Sequence, residues 1–245
     1  MGTRERKRRE FAEREHRFLD AARDQICQDG LLALQMAKVA RSCDYATGTL
    51  YQHFASKEDL LVAICAEMAQ TRVEFFQRVA NWKAPTRDKM FALAVADMLF
   101  AHRYPEHFRL SQFVFTEVIW EAASPERRRN TLEVCKPMGL IVHDIVAEAV
   151  ANGDVQDHGR TPLELSIGQW TMTLGMHNLV HAEGVLDLYE LKDPYRMMLT
   201  QIQLLLNGLQ WRPLFDPFDE PAMSEKINHV CNALFGDMCT AKEQR

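Results

Sequence analysis

Thr47, Thr49, Tyr51, Gln52 and His53 crowd five polar side chains into seven positions, with Gly48 among them. On a helix they share an outer face, while Leu50 and Phe54, four apart, turn inward. Short hydroxyls and an amide at this spacing suit hydrogen bonds to base edges or contact with thymine methyls in a major groove. Gly48 costs a helix up to ~1 kcal/mol relative to alanine, and close approach of DNA or a partner helix is its physical use. Lys57 opens the next helix, adding a cation where backbone N–H groups already favour an anion. Upstream, Gln35 and Arg41 border a short apolar pattern of Met36, Val39 and Ala40 and could reach the DNA backbone.

Other reactive side chains point to less. His177 and His181 lie four apart, a spacing able to put two imidazoles on one metal. His102, His107 and His143 are further candidates, yet no spacing fixes a third ligand, so no metal is expected. No Gly-rich phosphate loop, nucleophile elbow or acid–base pair is visible, and the chain reads as a non-enzyme without a cofactor. Six cysteines lack any Cys-x-x-Cys pair, which predicts reduced, mostly buried thiols in a cytoplasmic protein. Cys43 is the one thiol whose oxidation could disturb the polar helix.

The elements that must position these groups are almost all helical, with no alternating strand pattern. A first helix is expected from about Arg8 to Asp29, stopped by Gly30. A short helix over 35–42, a link through Cys43, Asp44 and Tyr45, and the helix ending at Phe54 make a helix-turn-helix spacing. Ser56 caps a long helix to about Asn81, with Asp59 completing a box-like start. Further helices are expected over Arg87–Arg103, from Pro105 to about Ala123, and from Pro125 to Asn152 with a bend at Pro137. The rest follow over Thr161–Glu183, Asp193–Trp211 and a last one over Ala222–Leu234. No apolar run approaches the ~20 residues that span a bilayer, and the charged N-terminus does not read as a secretory signal.

The run from Phe11 to Ala69 resembles the DNA-binding segment of the tetracycline-repressor (TetR) family of bacterial regulators. Val39-Ala40, Gly48-Thr49-Leu50-Tyr51, His53-Phe54 and Ser56-Lys57-Glu58-Asp59-Leu60-Leu61 carry the likeness. Asp44 stands where the family commonly has glycine, and Ala46 where it has serine or threonine. Asp tolerates a left-handed backbone, and Thr47 or Asp44 could take over the cap that Ala46 lacks, worth about 1 kcal/mol. The resemblance implies that Tyr51 and His53 meet phosphates rather than bases. It also implies an all-α fold with a three-helix head and a helical ligand-binding, dimerising body.

Charge supports that division. Residues 1–57 hold 11 Lys and Arg against 8 Asp and Glu, whereas the remainder holds 18 against 26. The basic head concentrates at Arg4, Arg6, Lys7, Arg8 and Arg9, an arm suited to phosphates or a minor groove. The expected domains are 1–57, with the motif at about 35–54 and a connecting helix over 57–81, and a body over 82–245.

Within the body, Leu163, Ile167, Trp170, Leu174 and Val180 form one apolar stripe. Tyr195, Met198, Ile202, Leu205, Leu206 and Leu209 form a second. By the resemblance these two helices pack on their mates in a homodimer that reads a palindromic duplex. The resemblance also implies an apolar pocket for a lipophilic effector, for which Met98, Phe113, Trp120, Met138, Trp170 and His177 are the expected lining. Effector binding would then release DNA, making the chain a repressor. The competing reading is a helical metabolite-binding or partner-binding protein, or an enzyme, whose basic head is incidental.

Overall fold

The basic arm is not an extended tail but the opening turns of helix α1 (Thr3–Asp29). Arg6 pairs with Glu10 at 3.4 Å and Arg9 with Glu13 at 2.7 Å, both one turn apart, which favours the helical state. The computed structural model describes residues 2–238, so Cys239 lies outside the described residues. It is all-helical, with no strand among the described residues.

Gly30 takes a positive φ of 87° and ends α1, the role its missing Cβ allows. A short 3₁₀ turn leads to α2 (Met36–Ser42) and α3 (Thr47–Tyr51). Between them Asp44 adopts the left-handed conformation expected of it, at φ 61°. No side chain caps α3, so neither Thr47 nor Asp44 replaces the missing serine. At α4 (Lys57–Ala80), Ser56 Oγ accepts from the Asp59 N–H at 3.0 Å, and Asp59 accepts in return from the Ala55 N–H at 3.2 Å.

The chain continues through α5 (Thr86–Arg103), α6 (Pro105–Val114), α7 (Glu117–Ala122) and α8 (Pro125–Asn152). The single helix expected over Pro105–Ala123 is thus broken between Val114 and Glu117, and α8 runs through Pro137 as one helix. Next come α9 (Pro162–His181), the short α10 (Val185–Leu188), α11 (Pro194–Gly208) and α12 (Glu220–Phe235). Thr161 and Glu164 form a reciprocal capping box at the start of α9, and Asp193 caps α11.

Two compact units emerge, and their division departs from the expected boundary between head and body. The first comprises residues 1–70 and 106–134; the second comprises 71–105 and 135–245. The reason is apolar burial: Leu110 and Val114 from α6, Ile119 from α7 and Ala123 just after it close over Phe18, Val39, Leu50, Phe54 and Leu61 in one core. Phe113 and Trp120 pack against this same core. They therefore do not belong to the unit that holds Met98, Met138, Trp170 and His177.

In the second unit α11 packs on α9 and α5, and α12 packs on α5. A Cβ at Gly168 would meet Leu205 at 3.2 Å, so this glycine lets α9 approach α11 closely. Arg87 on α5 is 1% exposed. It donates to the carbonyls of Trp211 and Gln203, to Gln203 Oε1 at 2.7 Å and to Asn207 Oδ1 at 2.9 Å. Burial draws the guanidinium down to about 10. Beside it, Thr86 accepts from the Trp211 indole at 3.0 Å and donates to Asp154 at 2.7 Å. One end of α5 is thereby fastened to the end of α11 and to the turn after α8.

Candidate nucleic-acid interface

Leu50 and Phe54 are both fully buried and fix the roll of α3. The opposite side then faces solvent: Tyr51 is 49% exposed, Gly48 and Gln52 are exposed, and Thr47 and Thr49 are half-buried. Gln35, preceding α2, and Arg41, in its last turn, are exposed as well. Lys57 is half-buried and donates to the Leu32 carbonyl at 3.3 Å, which holds its ammonium near the start of α4. A Cβ on Gly48 would meet nothing within 4 Å. Nothing among the described residues demands a glycine there.

His53 departs from the expected face. Its side chain is fully buried, stacked on Phe11 with ring centroids 3.8 Å apart and edge-on to Phe18 at 5.4 Å. Nδ1 lies 3.5 Å from Glu15, and burial holds the imidazole below its ordinary pKa. A neutral ring enclosed by α1 is not placed to meet a phosphate. The face keeps Thr47, Gly48, Thr49, Tyr51 and Gln52, and loses His53.

Arg127, at the start of α8, is the residue that sequence reasoning missed. It donates to Glu15 at 2.8 Å and to the His53 carbonyl at 2.8 Å, with its guanidinium 4.9 Å from the centre of the Phe54 ring. Asp59 similarly accepts from the Ser124 N–H at 2.6 Å. No local pattern marks Arg127 or Ser124, because their partners lie far away in sequence. Cys43, half-buried, donates to the Arg17 carbonyl at 3.4 Å, and burial raises its thiol pKa. Fewer thiolates at neutral pH make it a poor peroxide target. Cys65 and Cys231 are buried as expected, but Cys27 is exposed.

The second unit presents two different faces of α9. Leu163, Ile167, Trp170 and Leu174 are 61%, 37%, 57% and 40% exposed, a stripe along one side. Trp170 thus lies on the surface rather than in an enclosed pocket. On α11, by contrast, Tyr195, Met198, Ile202 and Leu206 are buried in the chain's own core, so that expected stripe is mostly interior. The inward face of α9 is largely polar: Ser166, Gln169, Thr173 and His177 are all buried, together with Leu165. Gln169 donates to the Met90 carbonyl at 2.7 Å, while its Oε1 is buried with no hydrogen-bond partner among the described residues. His177 Nδ1 lies 3.1 Å from the Tyr195 hydroxyl, and burial draws the imidazole down to about 3. Met98 is buried and Met138 half-buried in the same unit. Among the described residues no three His, Cys, Asp or Glu side chains are placed to hold a metal.

The helix-turn-helix coincides with the match to known proteins. Residues 18–64 match the family described as bacterial regulatory proteins, tetR family. The fatty acid metabolism regulator protein of Bacillus subtilis (strain 168) is 25% identical over 145 residues, which cover 57% of this chain and 70% of that protein. The regulator UidR of Escherichia coli (strain K12) is 44% identical over 48 residues, 20% of this chain and 24% of its own length. In three dimensions, FadR from Bacillus subtilis in complex with stearoyl-CoA superposes with TM-score 0.58 at 19% identity, over 79% of this chain and 98% of FadR. PfmR of Thermus thermophilus gives TM-score 0.57 at 18% identity, over 79% and 98% respectively. At those identities the superpositions establish the fold. Taken with the matched segment, they make the chain similar to regulators of the TetR family. It is a DNA-binding transcriptional regulator, and among the described residues no helix is long and apolar enough to cross a membrane.

The open space at Gly48 and the buried ring of His177 each generate a prediction. Gly48→Ala should leave stability unchanged or raise it by up to ~1 kcal/mol, yet weaken DNA binding about tenfold, a loss of ~1.4 kcal/mol. Denaturation and fluorescence anisotropy measure the two effects, and unchanged DNA affinity would show that another face closes on DNA. The His177 pKa falls from 6.5 to about 3 on folding, so below pH 6.5 the unfolded chain takes a proton that the folded chain refuses. Stability is therefore fully present above that pH and falls by up to ~1.4 kcal/mol per pH unit as pH drops toward the folded value. His177→Asn should flatten this stretch of the denaturation profile by up to one proton, whereas an identical slope would place the missing proton elsewhere.

Proposed function

We propose that this regulator is a repressor that works as a homodimer on an inverted-repeat operator and leaves it when a lipophilic small molecule binds. The observation that carries the DNA side is the α3 face, with Leu50 and Phe54 buried and Gly48, Tyr51 and Gln52 left toward solvent. Thr47, Thr49 and Gln52 read base edges. Gln35, Arg41, Tyr51, Lys57 and the basic turn at Arg4, Arg6, Lys7, Arg8 and Arg9 meet phosphates, which set register and much of the affinity. Residues 1–57 make the contacts, and Glu106–Val134 buttress them from within the same unit.

One head reads few base pairs, so selectivity needs two at a fixed separation. The exposed stripe Leu163, Ile167, Trp170 and Leu174 supports α9 as the side on which two copies meet. The effector belongs to the body, residues 82–245, where Met98, Met138 and the polar inner side of α9 lie together in one unit. The Bacillus relatives, one named for fatty acid metabolism and one solved with stearoyl-CoA, support a long-chain acyl compound as its class. In this reading Gln169 and His177 offer the polar contacts, and the effector releases DNA by favouring a conformation that binds it less well.

Two binding experiments test the proposal with DNA from upstream of the chain's own coding sequence. Gln52→Ala should lose preference for the operator while keeping salt-sensitive nonspecific binding. Lys57→Ala should weaken all sequences alike and reduce the salt slope by about 1. If both variants bind like the parent, the α3 face does not read DNA. Separately, stearoyl-CoA should release the parent chain from the operator, and retention of the complex at saturating ligand would remove long-chain acyl thioesters as the effector class.

A further inference from the structure

The first unit contains a trough of about 680 Å³ lined by α1, α4 and the start of α8, within the roughly 300–1,000 Å³ range of small-molecule sites. Its floor is made of small and apolar side chains: Phe11, Ala12, Leu19, Ala63, Ala66 and Val134. Phe11 is 44% exposed despite its stack on His53, so apolar surface remains open to a ligand.

The charges around it are unevenly matched. Arg6 and Arg9 are paired along α1 with Glu10 and Glu13. Arg4, Lys7 and Arg8, which line the trough, form no ion pair with any described residue. The two carboxylates in the lining are already engaged. Glu15 accepts from Arg127 at 2.8 Å, and Glu67 accepts from Arg23 at 2.8 Å with His16 Nδ1 a further 2.8 Å contact. The trough therefore combines an apolar floor with three unmatched cations. A neutral apolar molecule would leave those cations unused, and a small inorganic anion would leave the floor wet.

We propose that this trough is a second ligand site, on the DNA-binding unit itself, for a single-chain amphiphile with an anionic head. The chain lies over Phe11, Ala12, Ala63 and Ala66, and the carboxylate or phosphate faces Arg4, Lys7 and Arg8. The site is separate from the effector site proposed for the body. One consequence rests on the DNA-binding reading above: the three cations serve either the amphiphile or DNA phosphates, so occupancy here opposes DNA binding by direct competition.

Photolabelling of the full chain without DNA tests the site, using a long-chain fatty acid that carries a diazirine near its tail. Peptide mapping should find label on the segments around Phe11–Leu19, Ala63–Gln70 or Arg127–Val134. Dodecanoate should compete, whereas acetate, which lacks the chain, and dodecyl maltoside, which lacks the charge, should not. Ala12 is exposed, so Ala12→Phe should fill the trough and abolish this label without lowering the thermal midpoint. Arg8→Glu should weaken it about fivefold by reversing one unmatched charge. Label confined to the second unit, survival of the label in both variants, or equal competition by the maltoside would each overturn the proposal. The readout needs no DNA, so its failure is distinguishable from a failure of operator binding.

Discussion

The pose of α3 rests on the ion pair between Arg127 and Glu15. Arg127 reaches from α8 to α1 and, with its other nitrogen, to the carbonyl of His53, 74 positions earlier in the chain. Both side chains are only 21% exposed. An exposed pair such as Arg6 with Glu10 is worth under ~1 kcal/mol, because water competes for both charges. Where burial removes that water, deleting one partner strands the other and costs several kcal/mol, up to ~5. The guanidinium also sits on the Phe54 ring, so the pair and the apolar anchor of α3 reinforce each other. Tyr51 and Gln52 point where they do because three distant segments agree at this spot.

That agreement separates what was legible in the sequence from what was not. Leu50 and Phe54, the left-handed Asp44 and the Ser56 cap are local features, each decided within a turn of helix, and each was readable. His53 was misread because its fate is set by Phe11, Glu15 and Phe18 on α1, which a helical wheel of α3 cannot contain. A helix expected over Pro105–Ala123 does not say which core its apolar side chains join. Phe113 and Trp120 consequently joined the wrong unit. On α9 both faces carry structure-forming groups, one apolar and outward, one polar and inward, and counting hydrophobic residues finds only the first. Arg87 is the extreme case, since a charge is read as solvated until its acceptors are seen.

The interior of the second unit shows two ways to bury polarity. Arg87 is matched by carbonyl and amide oxygens on three residues rather than by a carboxylate. Because the acceptors come from α11 and the segment just after it, the cluster specifies how α5 docks rather than simply tolerating a charge. Gln169 and Gln203 are each buried and leave one amide atom without a partner among the described residues, as Arg87 does with its Nε. Such a group costs about 1–3 kcal/mol, a penalty that dry packing would have avoided with a leucine. Unmet polarity on the inner side of α9 is therefore the feature a hydrogen-bonding ligand could relieve, and it sits in the unit proposed to hold the effector.

Helix α3 illustrates why a head of this kind can vary its outer face. It has five residues, a glycine at its second position and no side-chain cap, so local propensity works against it by about 2 kcal/mol, ~1 for the glycine and ~1 for the cap. Complete burial of Leu50 and Phe54 contributes roughly 1.5–3 kcal/mol each, which outweighs the deficit. Stability thus comes from the inward residues together with Arg127 and Asp59 behind them. The outward positions carry almost none of it, and their identities are free to be set by the partner they meet.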